Sequence, residues 1–142
     1  MIHAGTLNAH VGCVAASLKS LELLGADDGA AYRRLYELGG RLRRGLADLG
    51  ASYGLKAIGP GPVFHAGFVR AGLAGQEQPV RNYRDVARTY DTERYSRFVR
   101  AIAARGVRLI GRGIWYLSTS HTDSDLDQTL AAARAALAEL PA

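Results

Sequence analysis

The sequence has little of what several common protein classes require. Among its 142 residues there is one cysteine, so no internal disulfide can form, and there is neither a CxxC pair nor an HExxH motif. Redox and structural-zinc chemistry therefore lack support. No apolar run approaches the roughly 20 residues of a membrane-spanning helix, and Met1 is not followed by a basic and then apolar leader. We therefore expect a cytoplasmic protein without a membrane partner.

Lysine is also scarce, and arginine dominates the basic residues. Lysine and arginine together number 18 against 13 acidic residues, a formal net charge of +5, and only Lys19 and Lys56 are lysines. The arginines are spread along the chain rather than grouped into an arm, and no motif interleaves them with aromatic residues. Nucleic-acid binding is therefore weakly supported and ranks third, behind the two functions described below. We predict no nucleic-acid partner.

The residues that are present suit one ordinary globular domain. Hydrophobic residues make up 48% of the chain and charged residues 22%, which is enough apolar material for a core. This composition excludes disordered, collagen-like and coiled-coil classes.

Two helices are predicted in the first third of the chain. Apolar residues in segment 9–24 recur at helical spacing, and Gly25 predicts the end of this helix. Asp27 or Asp28 can cap a second helix, whose apolar residues keep the 3.6-residue period as far as Tyr53.

Short strands and short helices are predicted for the remainder. The predicted strands are 56–58, 63–70, 107–110 and 114–119, and Asn82, Asp91 and Thr122 each precede a predicted helix. Segment 71–79 has no periodicity and is predicted to be an exposed loop. The order ααββααββα lacks strict βαβ alternation. It therefore predicts an α+β fold, in which helices pack on one face of a small, mostly antiparallel sheet preceded by a long helix.

Residues that could perform catalysis are few. His3, His10, His65 and His121 show no ligand spacing to a second histidine, cysteine or carboxylate, so we predict ordinary hydrogen-bonded imidazoles and no metal site. Cys13 lies on the helix face that should pack, which predicts a buried, inert thiol. The residues alone identify no catalytic group.

A Gly-Thr pair just ahead of the first helix is more informative. Gly5 lets the backbone approach an anion closely, Thr6 adds a hydroxyl donor, and the amides at a helix start carry partial positive charge. The pair therefore suits a phosphate group. The alternative is simple capping of the helix, for which Asn8 is also a candidate.

Several segments, in order along nearly the whole chain, resemble the C-terminal part of class III aminotransferases, in particular glutamate-1-semialdehyde aminomutase-like proteins. The segments that carry the resemblance are His3–Asn8 with the alanine-rich helix to Leu24, Val80–Tyr83, Asp91–Tyr95, Arg105–Val107 and His121–Asp127. Jointly these motifs are specific, although no single one is.

The resemblance implies a cofactor, an assembly and a domain division. The family uses pyridoxal 5'-phosphate (PLP) on the fold-type I scaffold, with active sites at the interface of a homodimer. Gly5 and Thr6 match the turn that reaches the phosphate of the neighbouring subunit's cofactor. Residues 1–25 would then form this phosphate turn and a connecting helix at the end of the large domain, and residues 26–142 the C-terminal small domain.

The resemblance also implies where the catalytic lysine lies. In the family, the Schiff-base lysine precedes the Gly-Thr turn, so neither Lys19 nor Lys56 matches it, and we predict that both are surface residues. We therefore expect this chain to be inactive alone and to act with a second copy or a companion large-domain polypeptide. Aminomutases carry a Phe-Glu segment where this chain has Arg112–Tyr116, which favours a generic transaminase of amino acids and oxo acids over the aminomutase reaction.

A second hypothesis belongs to a different class. The chain could be a non-catalytic interaction module or a complementing subunit derived from the same domain. In that case Val11, Val14 and Leu18, which a large domain would cover, should form an exposed apolar surface.

Overall fold

The computed structural model describes residues 5, 9–75 and 80–140, which form four α-helices and a three-stranded sheet. The elements are α1 Val11–Gly50, β1 Leu55–Ile58, β2 Val63–Phe68, α2 Tyr83–Thr89, α3 Thr92–Ala103, β3 Ile114–Tyr116 and α4 Asp123–Ala138, with 3-10 turns at Ala51–Tyr53 and Ala71–Leu73. The chain divides into two compact units, Met1–Arg34 and Leu35–Ala142. The predicted division after residue 25 concerns the domains of the relatives and stays a prediction.

A break interrupts α1 close to the predicted position. Backbone angles are helical up to Gly25 and leave the helical region from Ala26 to Gly29. Asp27 and Asp28 adopt positive φ of 50° and 55°, and their carbonyl oxygens accept hydrogen bonds from the Arg33 guanidinium. The predicted end of the first helix is therefore confirmed. The predicted cap of the second helix is wrong, because the backbone oxygens of Asp27 and Asp28 and the Asp28 carboxylate contact the Arg33 guanidinium instead.

The described residues of the N-terminal unit are mostly exposed. Val11, Val14 and Leu18 are 81%, 45% and 58% exposed, so the exposed apolar surface expected under the second hypothesis is present. Cys13 is exposed as well, and the prediction of a buried thiol is wrong. The reason is that helical spacing shows which residues share a face, but burial also needs a second layer against that face, and residues 9–23 are all exposed.

The C-terminal unit contains the sheet, in the order β1-β2-β3 with both pairs antiparallel. Leu55 pairs with Phe68, Ala57 with Ala66 and Phe64 with Trp115, and all six side chains are buried on the same face. Because side chains alternate across a strand, His65 and Gly67 lie on the opposite face. The predicted α+β class with a small antiparallel sheet is confirmed.

Three of the four predicted strands form, and the strand predicted at 107–110 is wrong. Gly106 takes a φ of 84° after α3, and the Val107 amide donates to the Ile102 carbonyl at 3.3 Å. This hydrogen bond closes the end of the helix and leaves the segment without a ladder partner. Val107 and Leu109 pack against the core from an irregular segment instead.

Helices α1, α3 and α4 enclose the core above the sheet. Leu42 and Leu46 of α1 lie with Phe98 of α3, and the Phe98 ring meets the Phe68 ring edge-on at 5.8 Å between centroids. Fully burying a side chain of this size contributes about 1.5–3 kcal/mol. The core therefore holds the C-terminal unit together.

The helix caps predicted at Asn82, Asp91 and Thr122 are confirmed. The Asn82 side chain accepts from the amides of Arg84 and Asp85, and the Asp91 carboxylate accepts from the Arg94 amide at 2.9 Å. Thr122 and Asp125 form the complete capping box at the start of α4. Within residues 5, 9–75 and 80–140, no helix is long and apolar enough to cross a bilayer.

Candidate functional site

The residues predicted for the phosphate turn are only partly described. Gly5 is exposed, whereas His3, Thr6 and Asn8 lie outside the described residues. At the start of α1, Nδ1 of His10 accepts a hydrogen bond from the Cys13 amide at 3.4 Å. Gly5 and Thr6 therefore remain predicted cofactor-binding residues.

Both lysines are surface residues, as predicted. Lys19 forms an exposed ion pair with Glu22 at 2.9 Å, and Lys56 is exposed on β1. Neither lines the cavity described next.

A cavity of about 660 Å³ opens on the face of the sheet opposite the core. It lies between β2, α2, the start of α3 and the turn before β3, and its lining includes His65, Arg70, Tyr83, Tyr90 and Arg112. Small-molecule sites commonly measure about 300–1,000 Å³. The cavity therefore has the size of a site for a small organic ligand, and it lies wholly within the C-terminal unit.

The sequence of β2 shapes one wall of this cavity. His65 and Gly67 are two residues apart, so both project to the open face of the sheet. Gly67 leaves space for Tyr90, since a Cβ there would lie 2.8 Å from Cγ of the tyrosine ring. The Tyr90 ring stacks on His65 with 5.1 Å between centroids and 29° between planes. The missing side chain at Gly67 thus admits the aromatic residue that packs on His65.

The charges that line the cavity favour an anion. Arg70 and Arg112 contribute two exposed guanidinium groups, and Asp91 is the one acidic side chain in the described lining. The carboxylate of Asp91 is engaged in capping α3, and Arg70 donates to the Ala87 carbonyl at 3.4 Å. A planar guanidinium matches a carboxylate or a phosphate in a bidentate arrangement, so the lining suits an anionic group of this kind.

Burial shifts the pKa values of two titratable rings at the cavity, those of His65 and Tyr95. Burial lowers the pKa of His65, while a hydrogen bond with the Arg112 backbone raises it and opposes that shift. Burial raises the pKa of Tyr95 to about 12, although its hydrogen bond with Trp115 acts in the opposite direction. Nε1 of Trp115 donates to the Tyr95 hydroxyl at 3.0 Å. The arginines therefore carry the positive charge of the site.

The arrangement suits binding better than covalent catalysis. Among the described residues, no side-chain hydrogen bond at the cavity joins a nucleophile to a base, and no cluster of His, Cys, Asp or Glu could hold a metal ion. Sequence reasoning missed Arg70, Tyr90 and Arg112 as site residues. One signal was available, since Arg112 stands between Gly111 and Gly113, and a charged side chain on a glycine turn is typical of a binding loop.

Curated relatives match almost the full chain. No protein-family model matches this chain. A glutamate-1-semialdehyde 2,1-aminomutase from Chloroflexus aggregans is 37% identical over 144 residues, which cover 99% of this chain and 32% of that protein. The enzyme of the same name from Thermus thermophilus is 37% identical over 136 residues, covering 94% of this chain and 30% of that protein. The chain thus spans about a third of the length of the relatives it matches.

Solved structures share the fold. A β-phenylalanine aminotransferase from Variovorax paradoxus is 28% identical with a TM-score of 0.75, covering 99% of this chain and 32% of that one. A transaminase with PLP bound, 17% identical, superposes with a TM-score of 0.71 over 98% of this chain and 30% of that one. An ω-transaminase from Sphaerobacter thermophilus, 23% identical, gives a TM-score of 0.72 over 98% of this chain and 30% of that one. The chain is therefore similar over nearly its whole length to about a third of the length of the glutamate-1-semialdehyde aminomutases, and it shares the fold of PLP-dependent transaminases. Both findings agree with the resemblance to the C-terminal part of class III aminotransferases.

Proposed function

We propose that this chain is the segment of a PLP-dependent aminotransferase that binds and orients the substrate carboxylate. The complete enzyme would transfer an amino group between an amino acid and a carbonyl compound. Homology along 99% of the chain supports the reaction class, and the cavity beside β2 supports the role of this segment.

The observation that carries the proposal is the place of Arg112 at the cavity. Arg112 is exposed and lines the cavity, and its side chain makes no hydrogen bond or ion pair with the residues that the structure describes. Hydrogen bonds to charged groups contribute about 1.5–3 kcal/mol each. Arg112 can thus bind the carboxylate of an amino acid or oxo acid, while Tyr83 and Tyr90 provide aromatic walls for the rest of the ligand.

The cofactor side of the proposal rests on Gly5 and Thr6. PLP, when bound, supplies the electron-withdrawing ring that carries the amino group. Gly5 fits a phosphate because it is exposed and has no side chain to obstruct its amide. Thr6 would add a hydroxyl donor. We propose that both residues hold the phosphate of a cofactor in a neighbouring subunit, so that a homodimer or a companion polypeptide completes the site.

No residue of this chain is proposed as the cofactor's covalent partner. Lys19 is paired with Glu22 on an exposed helix, and Lys56 lies on β1 outside the described cavity. An amine that attacks a cofactor needs a desolvated or electrostatically tuned site. We therefore expect the catalytic lysine on a segment or subunit that this chain accompanies.

Binding of 2-oxoglutarate to the full 142-residue chain, measured by calorimetry, tests the carboxylate site. Arg112→Ala should weaken binding about tenfold or more, because a charge-assisted contact is lost. Arg108→Ala is the matched control, since Arg108 is an exposed arginine four residues away that does not line the cavity. Equal binding by the Arg112→Ala variant and the unmodified chain would contradict the proposed site.

A covalent test addresses the lysines. The chain is incubated with PLP, reduced with borohydride and mapped by mass spectrometry, with an amine donor supplied in a parallel turnover assay. We expect neither turnover nor specific labelling. A specific adduct at Lys19 or Lys56 accompanied by transamination would show that the chain carries the chemistry itself.

The exposed face of the N-terminal unit favours a second candidate function, a non-catalytic interaction module. Val11, Val14, Leu18 and Leu21 are all at least 45% exposed, and apolar surface of this kind marks contact sites. Light scattering during size-exclusion chromatography measures self-association. A clean monomer at high concentration would argue against self-association through this face.

A further inference from the structure

We propose that His65 is a positioning residue, whose imidazole holds the turn at Arg112 and Gly113 so that the Arg112 guanidinium faces the cavity. The inference rests on the proposed function, which supplies the ligand, a carboxylate. It goes further by naming a residue that affects the affinity for this ligand. His65 itself need not touch the ligand.

The turn before β3 lies directly against the imidazole. His65 pairs with Ile114 in the ladder between β2 and β3, which brings the preceding residues alongside the ring. Gly113 has a φ of 84°, and a Cβ at that position would lie 2.5 Å from Nε2 of His65. The Gly113 carbonyl also accepts from the Ala66 amide at 2.7 Å. The backbone of the turn is therefore placed between a strand hydrogen bond and the His65 ring.

The opposite side of the imidazole is fixed by Tyr90. The Tyr90 ring stacks on His65, and Tyr90 is anchored through its own backbone, which donates to the Val86 carbonyl at 2.9 Å and forms a β-bridge with Val69. A ring held in this way has little freedom to rotate. Its Nε2 atom therefore faces the backbone of the turn from a fixed position.

The protonation state of His65 suits this role. A neutral imidazole donates through one nitrogen only. Nδ1 of His65 is buried without a partner among the described residues, whereas Nε2 lies against the turn at Gly113, so Nε2 is the donor in this proposal. The charged or titratable side chains around the cavity are Arg70, Arg112, Asp91, Tyr83, Tyr90 and Tyr95. A charged imidazole would add a further cation to this arginine-rich lining, so the neutral form holds the turn without repelling Arg112.

Two substitutions separate hydrogen bonding from ring packing. His65→Phe keeps a ring for Tyr90 to stack on and removes the nitrogen that holds the turn, whereas His65→Gln restores an N–H donor. We expect His65→Phe to weaken 2-oxoglutarate binding about fivefold, as for one lost hydrogen bond, and His65→Gln to recover most of that loss. His10→Phe removes a histidine outside the cavity and is the control.

A measurement without ligand tests the inference separately from the proposed function. Hydrogen exchange at the Gly113 amide should be faster in His65→Phe than in the unmodified chain and near normal in His65→Gln. If the unmodified chain binds no 2-oxoglutarate, the proposed function is wrong, while Gly113 exchange still decides the role of His65. Unchanged exchange in His65→Phe, or equal defects in both variants, would overturn the inference.

Discussion

The two units of this chain use the same amphipathic pattern with opposite results. In the N-terminal unit, Val11 and Leu18 recur at helical spacing and are 81% and 58% exposed. In the C-terminal unit, Leu38, Leu42 and Leu46 recur at similar spacing in the part of α1 that follows the break, and they are 1%, 4% and 0% exposed. The difference lies in what packs against each half, because only the C-terminal half belongs to a unit with a sheet and two further helices in its core.

This contrast shows that apolar periodicity marks a surface that can be buried, and a second layer decides whether it is. The C-terminal unit supplies that layer from its own sequence. In the N-terminal unit, Val11, Val14 and Leu18 are exposed, and the chain spans about a third of the length of its relatives.

The largest expected effect comes from truncating a core side chain of the C-terminal unit. Phe98 is fully buried and packs edge-on against Phe68, so Phe98→Ala should lower the free energy of unfolding by about 3–5 kcal/mol. Urea unfolding followed by Trp115 fluorescence measures the change. Leu21→Ala is the matched truncation in the N-terminal unit, where Leu21 is 64% exposed, and it should stay within about 0.5 kcal/mol. Similar losses in the free energy of unfolding in the two variants would contradict the difference in packing between the units.

Substituting alanine for either of two glycines should change the stability by intermediate amounts of opposite sign. A Cβ on Gly39, in the buried half of α1, would overlap the Gly61 carbonyl, whereas a Cβ on Gly25 meets nothing within 4 Å. We expect Gly39→Ala to destabilise the chain by about 1–3 kcal/mol, because the backbone at Gly61 must move. Gly25→Ala should be neutral or stabilising by up to about 1 kcal/mol through helix propensity. Circular dichroism during urea unfolding measures both, and destabilisation by Gly25→Ala would indicate hidden packing in the N-terminal unit.

The smallest effect is a pH dependence that arises in the C-terminal unit. Burial lowers the pKa of His65 in the folded chain below its ordinary value of 6.5. Below pH 6.5 the unfolded state therefore binds the proton more readily, and the free energy of unfolding falls as the pH drops through this range. Well above pH 6.5, protonation of His65 therefore causes no loss in the free energy of unfolding.

His65→Phe and His65→Gln both remove this titration, so their stabilities should depend less on pH between 5 and 7 than that of the unmodified chain. Urea midpoints at several pH values provide the measurement. An unchanged slope in both variants would show that His65 is equally easy to protonate in the folded and unfolded states.

Short-range sequence signals correctly predicted where three helices of the C-terminal unit begin. Asn82, Asp91 and Thr122 were identified as caps from side chains that bond to nearby amides, an interaction within a few residues that sequence contains directly. The strand at 107–110 was mispredicted because its apolar residues suit either a strand or an irregular segment packed on the core. The end of α3 decided between them, since the Val107 amide bonds to the Ile102 carbonyl.

The cavity was harder to predict. Arg70, Tyr90 and Arg112 are far apart in sequence, and none belongs to a recognisable short motif. They come together because β2 pairs with β3, and because Gly67 leaves room for the Tyr90 ring beside His65. The predicted phosphate turn arose from local chemistry and a family resemblance, and its role stays a prediction.

By itself, the sequence determined the helix caps, the break in α1, the apolar faces and the resemblance to class III aminotransferases, because each depends on residues close together in the chain or on a pattern along it. Tertiary structure alone decided which apolar face is buried, which strands pair and which arginines share a cavity with His65. The physical reason is that burial and site geometry depend on contacts between distant segments, and the spacing of residues within one element leaves those contacts open.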